Sequence, residues 1–153
     1  MPMPTGGTNL TSLPIVFIDD EPDDIVFAIR ALRSSDLENP VLKFYDPEEA
    51  IQHFKSVCAT QGDTVAAAVF CDVKMPGLMG FDVVRSLRAL RQMQKVPIWM
   101  LSGSDSPVDI ARARASGANG YLVKPAMPAQ LVAVVQGKFP PESAFEPKGF
   151  LSV

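Results

Sequence analysis

The sequence Val69-Phe70-Cys71-Asp72-Val73-Lys74-Met75-Pro76-Gly77 is an apolar run that stops at a single aspartate and passes directly into a Pro-Gly turn. With residues 65–68 (Val-Ala-Ala-Ala), the run is apolar at consecutive positions, which predicts a strand buried on both faces of a parallel sheet. A carboxylate at the carboxyl end of such a strand lies where open α/β sheets bind ligands. Asp72 is therefore either a functional acid or an aspartate that caps a loop.

The composition is typical of one soluble globular domain. The chain has 153 residues, of which 47% are hydrophobic and 20% charged, with a net charge of −3 and a pI near 5.1. This balance gives no indication of affinity for nucleic acid, and the sequence has no apolar run long enough to span a membrane, so we expect neither as a partner. The two cysteines are too few for a disulfide framework or a zinc site, which favours a reducing, cytoplasmic compartment.

Five apolar runs alternate along the chain with five segments of helical periodicity. The apolar runs are 13–18, 41–45, 65–71, 96–101 and 119–123, and the predicted helices are 22–34, 80–90, 108–116, 128–137 and one that begins at Pro47. The alternation predicts an α/β fold with a doubly wound, five-stranded parallel sheet and helices on both of its faces. We expect a flexible leader at 1–12, one folded domain at 13–137 and a Pro-rich C-terminal tail at 138–153.

Chemically distinctive side chains follow the predicted strands at the points where they end. They are Asp19 and Asp20, then Asp72, then Ser102 and Lys124. Because the carboxyl ends of parallel strands share one edge of the sheet, we expect these groups to lie close together. Carboxylates from two strand ends suit Mg²⁺, which takes one or two of them together with phosphate oxygens and water. A lysine and a hydroxyl supply donors for the other oxygens of a phosphoryl group, so the set predicts a site that accepts phosphate onto a carboxylate.

These residues belong to four motifs that together resemble the receiver domains of two-component response regulators, over about residues 13–137. The motifs are Ile18-Asp19-Asp20-Glu21-Pro22, Asp72-Val73-Lys74-Met75-Pro76-Gly77, Leu101-Ser102-Gly103 and Tyr121-Leu122-Val123-Lys124-Pro125. Each motif alone has little specificity, but all four occur in order, each at the end of a strand. The resemblance implies the flavodoxin-like (βα)5 fold of those domains. Two positions depart from the common pattern: Met79 stands where an acid is frequent, and Ser102 replaces the commoner threonine but keeps the hydroxyl.

The resemblance implies roles for individual residues. Asp72 would receive a phosphoryl group from a phosphohistidine of a sensor histidine kinase or a histidine phosphotransfer protein. Mg²⁺ would be held directly by Asp20, mainly through water by Asp19, and by Asp72 and the main-chain carbonyl of Lys74. Considered without the resemblance, Asp19 and Asp20 are also open to interpretation as acids that cap the following helix.

Three further residues have implied roles around the phosphoryl group. Lys124 would bind one of its oxygens, and Ser102 would hydrogen-bond to it after phosphorylation. Tyr121 would be an aromatic switch that turns inward as Ser102 moves. The alternatives are that Ser102 is an ordinary turn residue and that Tyr121 is a packed strand aromatic with no switching role.

The last predicted helix is followed only by the tail at 138–153. This tail is too short for a DNA-binding or enzymatic output domain. We therefore expect a stand-alone response regulator, similar to those that partner bacterial phytochrome-type kinases, acting through contacts with a downstream protein. It would not be an enzyme beyond promoting its own phosphotransfer and dephosphorylation. The phenylalanines of the tail either pack on the domain, contribute to a homodimer or remain disordered.

Two other hypotheses stay open. In the first, the chain is a receiver taken from a larger hybrid kinase or transcription factor. In the second, it is a phosphatase that forms an aspartyl phosphate, of the haloacid-dehalogenase type. Such enzymes place a second acid two residues after the nucleophile, where this chain has Lys74, and carry a cap domain for which the chain has no room.

Overall fold

A sheet of five short strands forms the centre of the structure, a computed structural model that describes residues 13–60 and 64–147. The leader predicted at 1–12 and the end of the predicted tail lie outside these residues. The strands are β1 (Ile15–Ile18), β2 (Val41–Phe44), β3 (Ala68–Cys71), β4 (Ile98–Ser102) and β5 (Gly120–Val123). All neighbouring pairs are parallel, and the order across the sheet is β2-β1-β3-β4-β5. The predicted doubly wound parallel sheet is confirmed.

Prolines limit the sheet at its amino end. Pro14 and Pro97 directly precede β1 and β4, the two strands that flank β3. Their carbonyl oxygens accept hydrogen bonds from the N–H groups of Ala67 and Val69, each at 2.8 Å. Because proline has no N–H, it cannot donate a ladder bond in return, so pairing stops there. This explains why β3 begins at Ala68 although its apolar run begins three residues earlier.

Five helices connect and cover the strands. They are α1 (Pro22–Arg33), α2 (Pro47–Thr60), α3 (Gly80–Arg88), α4 (Pro107–Ser116) and α5 (Pro128–Val135), with short 3-10 turns at Arg91–Met93 and Pro141–Ser143. Four of the five helices begin with proline, which is tolerated at the first helical position because an N–H there has no partner within the helix. Among the described residues, no helix combines the length and the apolar character needed to cross a bilayer.

The helices enclose two hydrophobic cores, one on each face of the sheet. On one face α1 and α5 contribute Ile25, Leu32, Leu131 and Val134, which pack on the stacked rings of Phe17 and Phe70. On the other face α2, α3 and α4 contribute Phe54, Phe81, Val84, Leu87 and Ala113. With both faces covered, the sheet can present its chemistry only at its edges and at the ends of its strands.

The chain reverses direction sharply after α5. Gly137 has a φ of 69°, a left-handed value that favours glycine. The N–H of Lys138 donates to the carbonyl of Ala133 at 2.8 Å, and that of Gly137 to the carbonyl of Val134 at 3.1 Å. These two bonds are the Schellman arrangement, which ends a helix and turns the following chain back.

The residues after this turn lie against the domain. The ring of Phe139 contacts Trp99, with 4.5 Å between their centres. The main-chain N–H of Tyr121 on β5 donates to the carbonyl of Ala144 at 2.8 Å. The guanidinium of Arg114, on α4, lies 4.7 Å from the ring centre of Phe145. Residues 138–147, called the tail segment below, therefore cover the outer edge of β5.

Candidate functional site

Three aspartates meet at the carboxyl edge of the sheet. Asp19 and Asp72 each follow the last paired residue of adjacent strands, since Ile18 pairs with Cys71, and the Asp72 N–H donates to the Ile18 carbonyl at 2.9 Å. Each of Asp19, Asp20 and Asp72 places a carboxylate oxygen within 4.8 Å of the others. Asp19 and Asp72 are only 5% and 8% exposed, and Asp20 is half-buried. Buried acids at this spacing need a compensating positive charge.

Lys124, which follows β5, supplies one such charge. Its Nζ lies 2.7 Å from Asp19 Oδ2, 2.8 Å from Asp24 Oδ2 and 3.5 Å from Asp72 Oδ2. Burial alone lowers the pKa of the ammonium, but the hydrogen bonds to Asp19 and Asp24 and the charge of Asp72 outweigh it, so the pKa lies above its ordinary value. Lys124 therefore remains protonated in the pocket.

The carboxyl group of Asp72 has a pKa above its ordinary value. Its Oδ1 accepts a hydrogen bond from the Val73 N–H at 2.8 Å. Burial, followed by the charge of Asp19, raises the pKa of Asp72 from 3.8 to about 6, although Lys124 and the Val73 N–H act in the opposite direction. A second cation in the pocket would reduce the electrostatic repulsion between the carboxylates of Asp19 and Asp72. Carboxylate oxygens are the hard ligands that Mg²⁺ prefers, so the donor set fits that ion.

Lys74 lies in the loop after Asp72, and its side chain is exposed. The following α3 begins close to the loop after Asp72: the Gly80 N–H donates to the Val73 carbonyl at 2.7 Å. A methyl group at Gly80 would overlap the main-chain oxygen of Asp72. From the sequence alone, Gly80 is only the first residue of a predicted helix. Its role in bringing α3 against this loop appears only when the backbones of Asp72 and Gly80 are seen together.

Ser102 and Tyr121 are joined through Ser104. Ser102 is buried at the end of β4, and its Oγ accepts a hydrogen bond from the Ser104 N–H at 3.2 Å. Tyr121 is fully buried, and its hydroxyl donates to the Ser104 carbonyl at 2.8 Å. The main chain of Ser102 also accepts a hydrogen bond from the Lys124 N–H at 2.8 Å. Tyr121 thus has the inward position, in contact with the loop after Ser102.

Asp24 is the pocket residue that the sequence analysis missed. Asp23 and Asp24 both lie in the first turn of α1, where acids favour the helix dipole and the sequence suggests no further role for them. The side chain of Asp24 also accepts a hydrogen bond from Lys124 Nζ, with which it forms an ion pair. The available signal was its place in the chain: Asp24 lies four residues after Asp20, in the first turn of the helix that follows the acid pair.

A protein family model matches most of the chain, including all of the site residues described above. The family model of the response regulator receiver domain matches residues 15–136. The chain belongs to this family. It is accordingly a receiver domain of two-component signal transduction, a signalling domain. Domains of this family bind Mg²⁺ at an acidic pocket, and the cluster of Asp19, Asp20 and Asp72 is of a kind that can hold a metal ion.

Curated relatives of this receiver domain are longer proteins. The transcriptional regulatory protein PrrA of Mycobacterium tuberculosis is 36% identical over 129 residues, which cover 84% of this chain and 51% of PrrA. The DNA-binding response regulator MtrA of Mycolicibacterium smegmatis is 31% identical over 139 residues, or 91% of this chain and 55% of MtrA. The chain thus spans about half the length of the curated relatives that it matches.

Solved structures match the whole receiver fold. The chemotaxis protein CheY4 of Vibrio cholerae has a TM-score of 0.69 at 26% identity, with 84% of this chain and 99% of that one covered. The bacteriophytochrome response regulator AtBRR has a TM-score of 0.69 at 28% identity, with 84% and 94% covered. Both likenesses confirm the flavodoxin-like receiver fold.

Proposed function

We propose that this receiver domain accepts a phosphoryl group on Asp72 and thereby changes its contacts with other proteins. The observation that carries the proposal is the convergence of three carboxylates, within 4.8 Å of one another, with the Lys124 ammonium 3.5 Å from Asp72. An acid at a strand end is common by itself. An acid beside two others and a buried ammonium has the surroundings that phosphoryl transfer needs.

The chemistry follows from the charges. A carboxylate oxygen of Asp72 attacks the phosphorus of a phosphohistidine, the P–N bond breaks, and its electron pair returns to the imidazole ring. The product is an acyl phosphate, and attack by water on it releases phosphate and restores the carboxylate. Neither step depends mainly on a general base, because positioning and charge neutralisation dominate the barrier. Lys124 provides a fixed positive charge for an oxygen of the transferred group.

Magnesium is the cofactor of this proposal. Asp20 and Asp72 would ligate it directly, Asp19 mainly through water, and Lys74 through its main-chain carbonyl. When bound, Mg²⁺ neutralises charge on the phosphoryl oxygens. The raised pKa of Asp72, caused first by burial and then by the charge of Asp19, supports this assignment, because a bound cation would favour the ionised carboxylate.

Ser102 and Tyr121 would transmit the change. A phosphoryl oxygen that draws the Ser102 hydroxyl toward Asp72 also moves Ser104, to which Ser102 is hydrogen-bonded. The Tyr121 hydroxyl binds the same Ser104, so the movement of Ser102 would favour the inward position of the Tyr121 ring when Asp72 is phosphorylated. The surface formed by α4, β5 and α5 would have two conformations, and their relative populations would shift as a result.

The phosphodonor would be a sensor histidine kinase or a histidine phosphotransfer protein. A groove of about 710 Å³ lies beside Lys124, between α1 and the start of α5, and its lining includes Asp24, Phe27 and Met127. Phe27 and Met127 are 67% and 45% exposed, which is high for large apolar side chains. A donor that places phosphohistidine against Asp72 has to contact this groove, since the groove opens directly next to the pocket.

Labelling tests the phosphoacceptor. With Mg²⁺ and acetyl phosphate, we expect one acid-stable, base-labile phosphoryl group per chain in the intact mass, and none with Asp72→Asn. Asp36→Asn is the matched control, since it removes the same charge from an exposed position outside the pocket. Equal labelling of Asp72→Asn and the wild type would refute the assignment of Asp72.

A second comparison tests the donor surface. Profiling against candidate histidine kinases first identifies one that phosphorylates the wild type. Phe27→Ser should then slow transfer from that kinase at least severalfold and leave labelling by acetyl phosphate unchanged. Val108→Ser is the control, because Val108 is 65% exposed on α4. Equal transfer rates for the two variants would remove the groove from the proposal.

We further propose that the protein works as a stand-alone cytoplasmic regulator whose downstream target is another protein. The net charge of −3 supports a protein target over nucleic acid. The genomic reading frame distinguishes this from a receiver within a hybrid kinase or a transcription factor. An open frame that continues into an output domain would overturn the stand-alone role but not the phosphorylation of Asp72.

A further inference from the structure

Asp24 changes how Lys124 is held. Its Oδ2 lies 2.8 Å from Lys124 Nζ, compared with 3.5 Å for the nearest oxygen of Asp72. Charge-assisted N–H···O bonds have lengths of about 2.7–2.9 Å. The contacts of Lys124 with Asp19, at 2.7 Å, and with Asp24 are in this range, whereas the contact with Asp72 is outside it. Lys124 is therefore directed to α1 and β1 more strongly than to Asp72.

The position of Asp24 allows it to act without entering the metal site. It lies in the first turn of α1, whereas Asp20 precedes that helix. Its side chain is 41% exposed, compared with 7% for Asp19 and 10% for Asp72. It also lines the groove that opens beside Lys124. Asp24 thus reaches the ammonium from the solvent side, opposite to the buried acids.

An ammonium group has three N–H donors. Two of them are directed to Asp19 and Asp24, which hold the ammonium 3.5 Å from Asp72. The third donor can reach a phosphoryl oxygen on Asp72 more closely only if the ammonium moves and weakens these two bonds. Asp24 also adds negative charge at the entrance through which an anionic donor approaches. Both effects oppose the formation of the acyl phosphate, and both disappear when the carboxylate of Asp24 is removed.

We propose that Asp24 is a positioning residue that holds Lys124 away from Asp72 and so limits the rate at which Asp72 is phosphorylated. This inference rests on the proposed function of Asp72 as the phosphoacceptor. It assigns to α1 a part in setting the reactivity of the site, through one ion pair between the helix and the residue after β5.

The test is the rate of labelling by acetyl phosphate at saturating Mg²⁺. We expect Asp24→Ala to be labelled about three- to tenfold faster than the wild type, as for release of one partly exposed charge-assisted hydrogen bond. Asp23→Ala is the matched control: it removes the same charge from the neighbouring, exposed position of the same helical turn. Asp24→Glu, which can restore the ion pair, should return the rate to near the wild-type value.

The outcomes separate the two proposals. A wild type that is not labelled, or an Asp72→Asn variant that is labelled equally, overturns the phosphoacceptor and the Asp24 inference with it. A wild type labelled at Asp72 together with an Asp24→Ala rate equal to or below it overturns only the Asp24 inference. The same is true if Asp23→Ala accelerates labelling as much, because the effect is then one of charge alone. A purely structural role of Asp24 would lower thermal stability and would not produce a faster reaction.

Discussion

At the scale of single residues, the charge of Asp72 destabilises the fold at the position where we propose that a phosphoryl group is accepted. Burial and Asp19 raise its pKa from 3.8 to about 6. A carboxyl group with a higher pKa in the folded state binds protons more readily when folded. The free energy of unfolding therefore falls as the pH rises through the interval from about 4 to 6, and the full destabilisation is present above it.

Asp72→Asn should remove this destabilisation. In the presence of a chelator at about pH 8 we expect its free energy of unfolding to exceed that of the wild type by about 1–3 kcal/mol. Its stability should also change less than that of the wild type between about pH 6 and pH 4. Denaturant unfolding followed by circular dichroism measures both, with Asp36→Asn as control. A less stable variant at about pH 8 would mean that the ion pair with Lys124 outweighs the burial of charge.

Asp20 should matter most for the metal. A ligand that binds only the folded state stabilises it, by about 2.7 kcal/mol at roughly a hundred times its dissociation constant. We expect Mg²⁺ to raise the melting temperature of the wild type, and Asp20→Asn to abolish most of that increase. Asp23→Asn, which changes an exposed acid nearby, should retain it. An equal response of both variants would show that Asp20 is not a direct ligand.

At the scale of elements, the tail segment is a structural part of the domain. Phe139 covers Trp99, which is 5% exposed and is the one tryptophan of the chain. Phe139→Ala should lower the free energy of unfolding by about 1–3 kcal/mol, as for loss of a partly buried aromatic ring. The emission of Trp99 should shift to longer wavelength as water reaches it. Phe27→Ala, at a position 67% exposed, should change neither quantity, and an unshifted Trp99 spectrum in Phe139→Ala would contradict the packing of the tail segment.

At the scale of the whole molecule, the tail segment bears on self-association. It covers the outer edge of β5 through the hydrogen bond between Tyr121 and Ala144. An uncovered edge strand is a template for pairing with another chain. We therefore expect a chain ending at Gly137 to form larger species than the full chain as its concentration rises.

Gel filtration with light scattering measures this difference. A smaller mass for the shortened chain would show instead that the residues after Gly137 hold a homodimer together. An unchanged mass at all concentrations would show that the edge of β5 is protected by other means. Phe139→Ala in the full chain is the matched comparison, since it weakens one anchor of the tail segment and leaves the hydrogen bond of Ala144 in place.

The order of elements could be predicted from the sequence because its signals are local. Apolar runs, helical periodicity and prolines before strands and helices act within a few residues of their own position. Parallel pairing then places five side chains at one edge, since each stands at or directly after the end of a strand: Asp19, Asp20, Asp72, Ser102 and Lys124. The same rule could not foresee where β3 begins, because that depends on Pro14 and Pro97, which precede the neighbouring strands β1 and β4.

Only the tertiary structure decided how these residues divide the available contacts. Whether Lys124 prefers Asp19, Asp24 or Asp72 depends on distances set by the packing of α1 against the sheet, and Asp24 and Lys124 are a hundred residues apart in sequence. The close approach of Gly80 to the main chain of Asp72 and the hydrogen bond of Ala144 to the edge of β5 also depend on tertiary packing. The stretch from Val69 to Gly77 determined where an acid would stand. The residues that bury Asp72 and raise its pKa come from other strands and helices. No local pattern in the sequence shows how closely these elements pack around it.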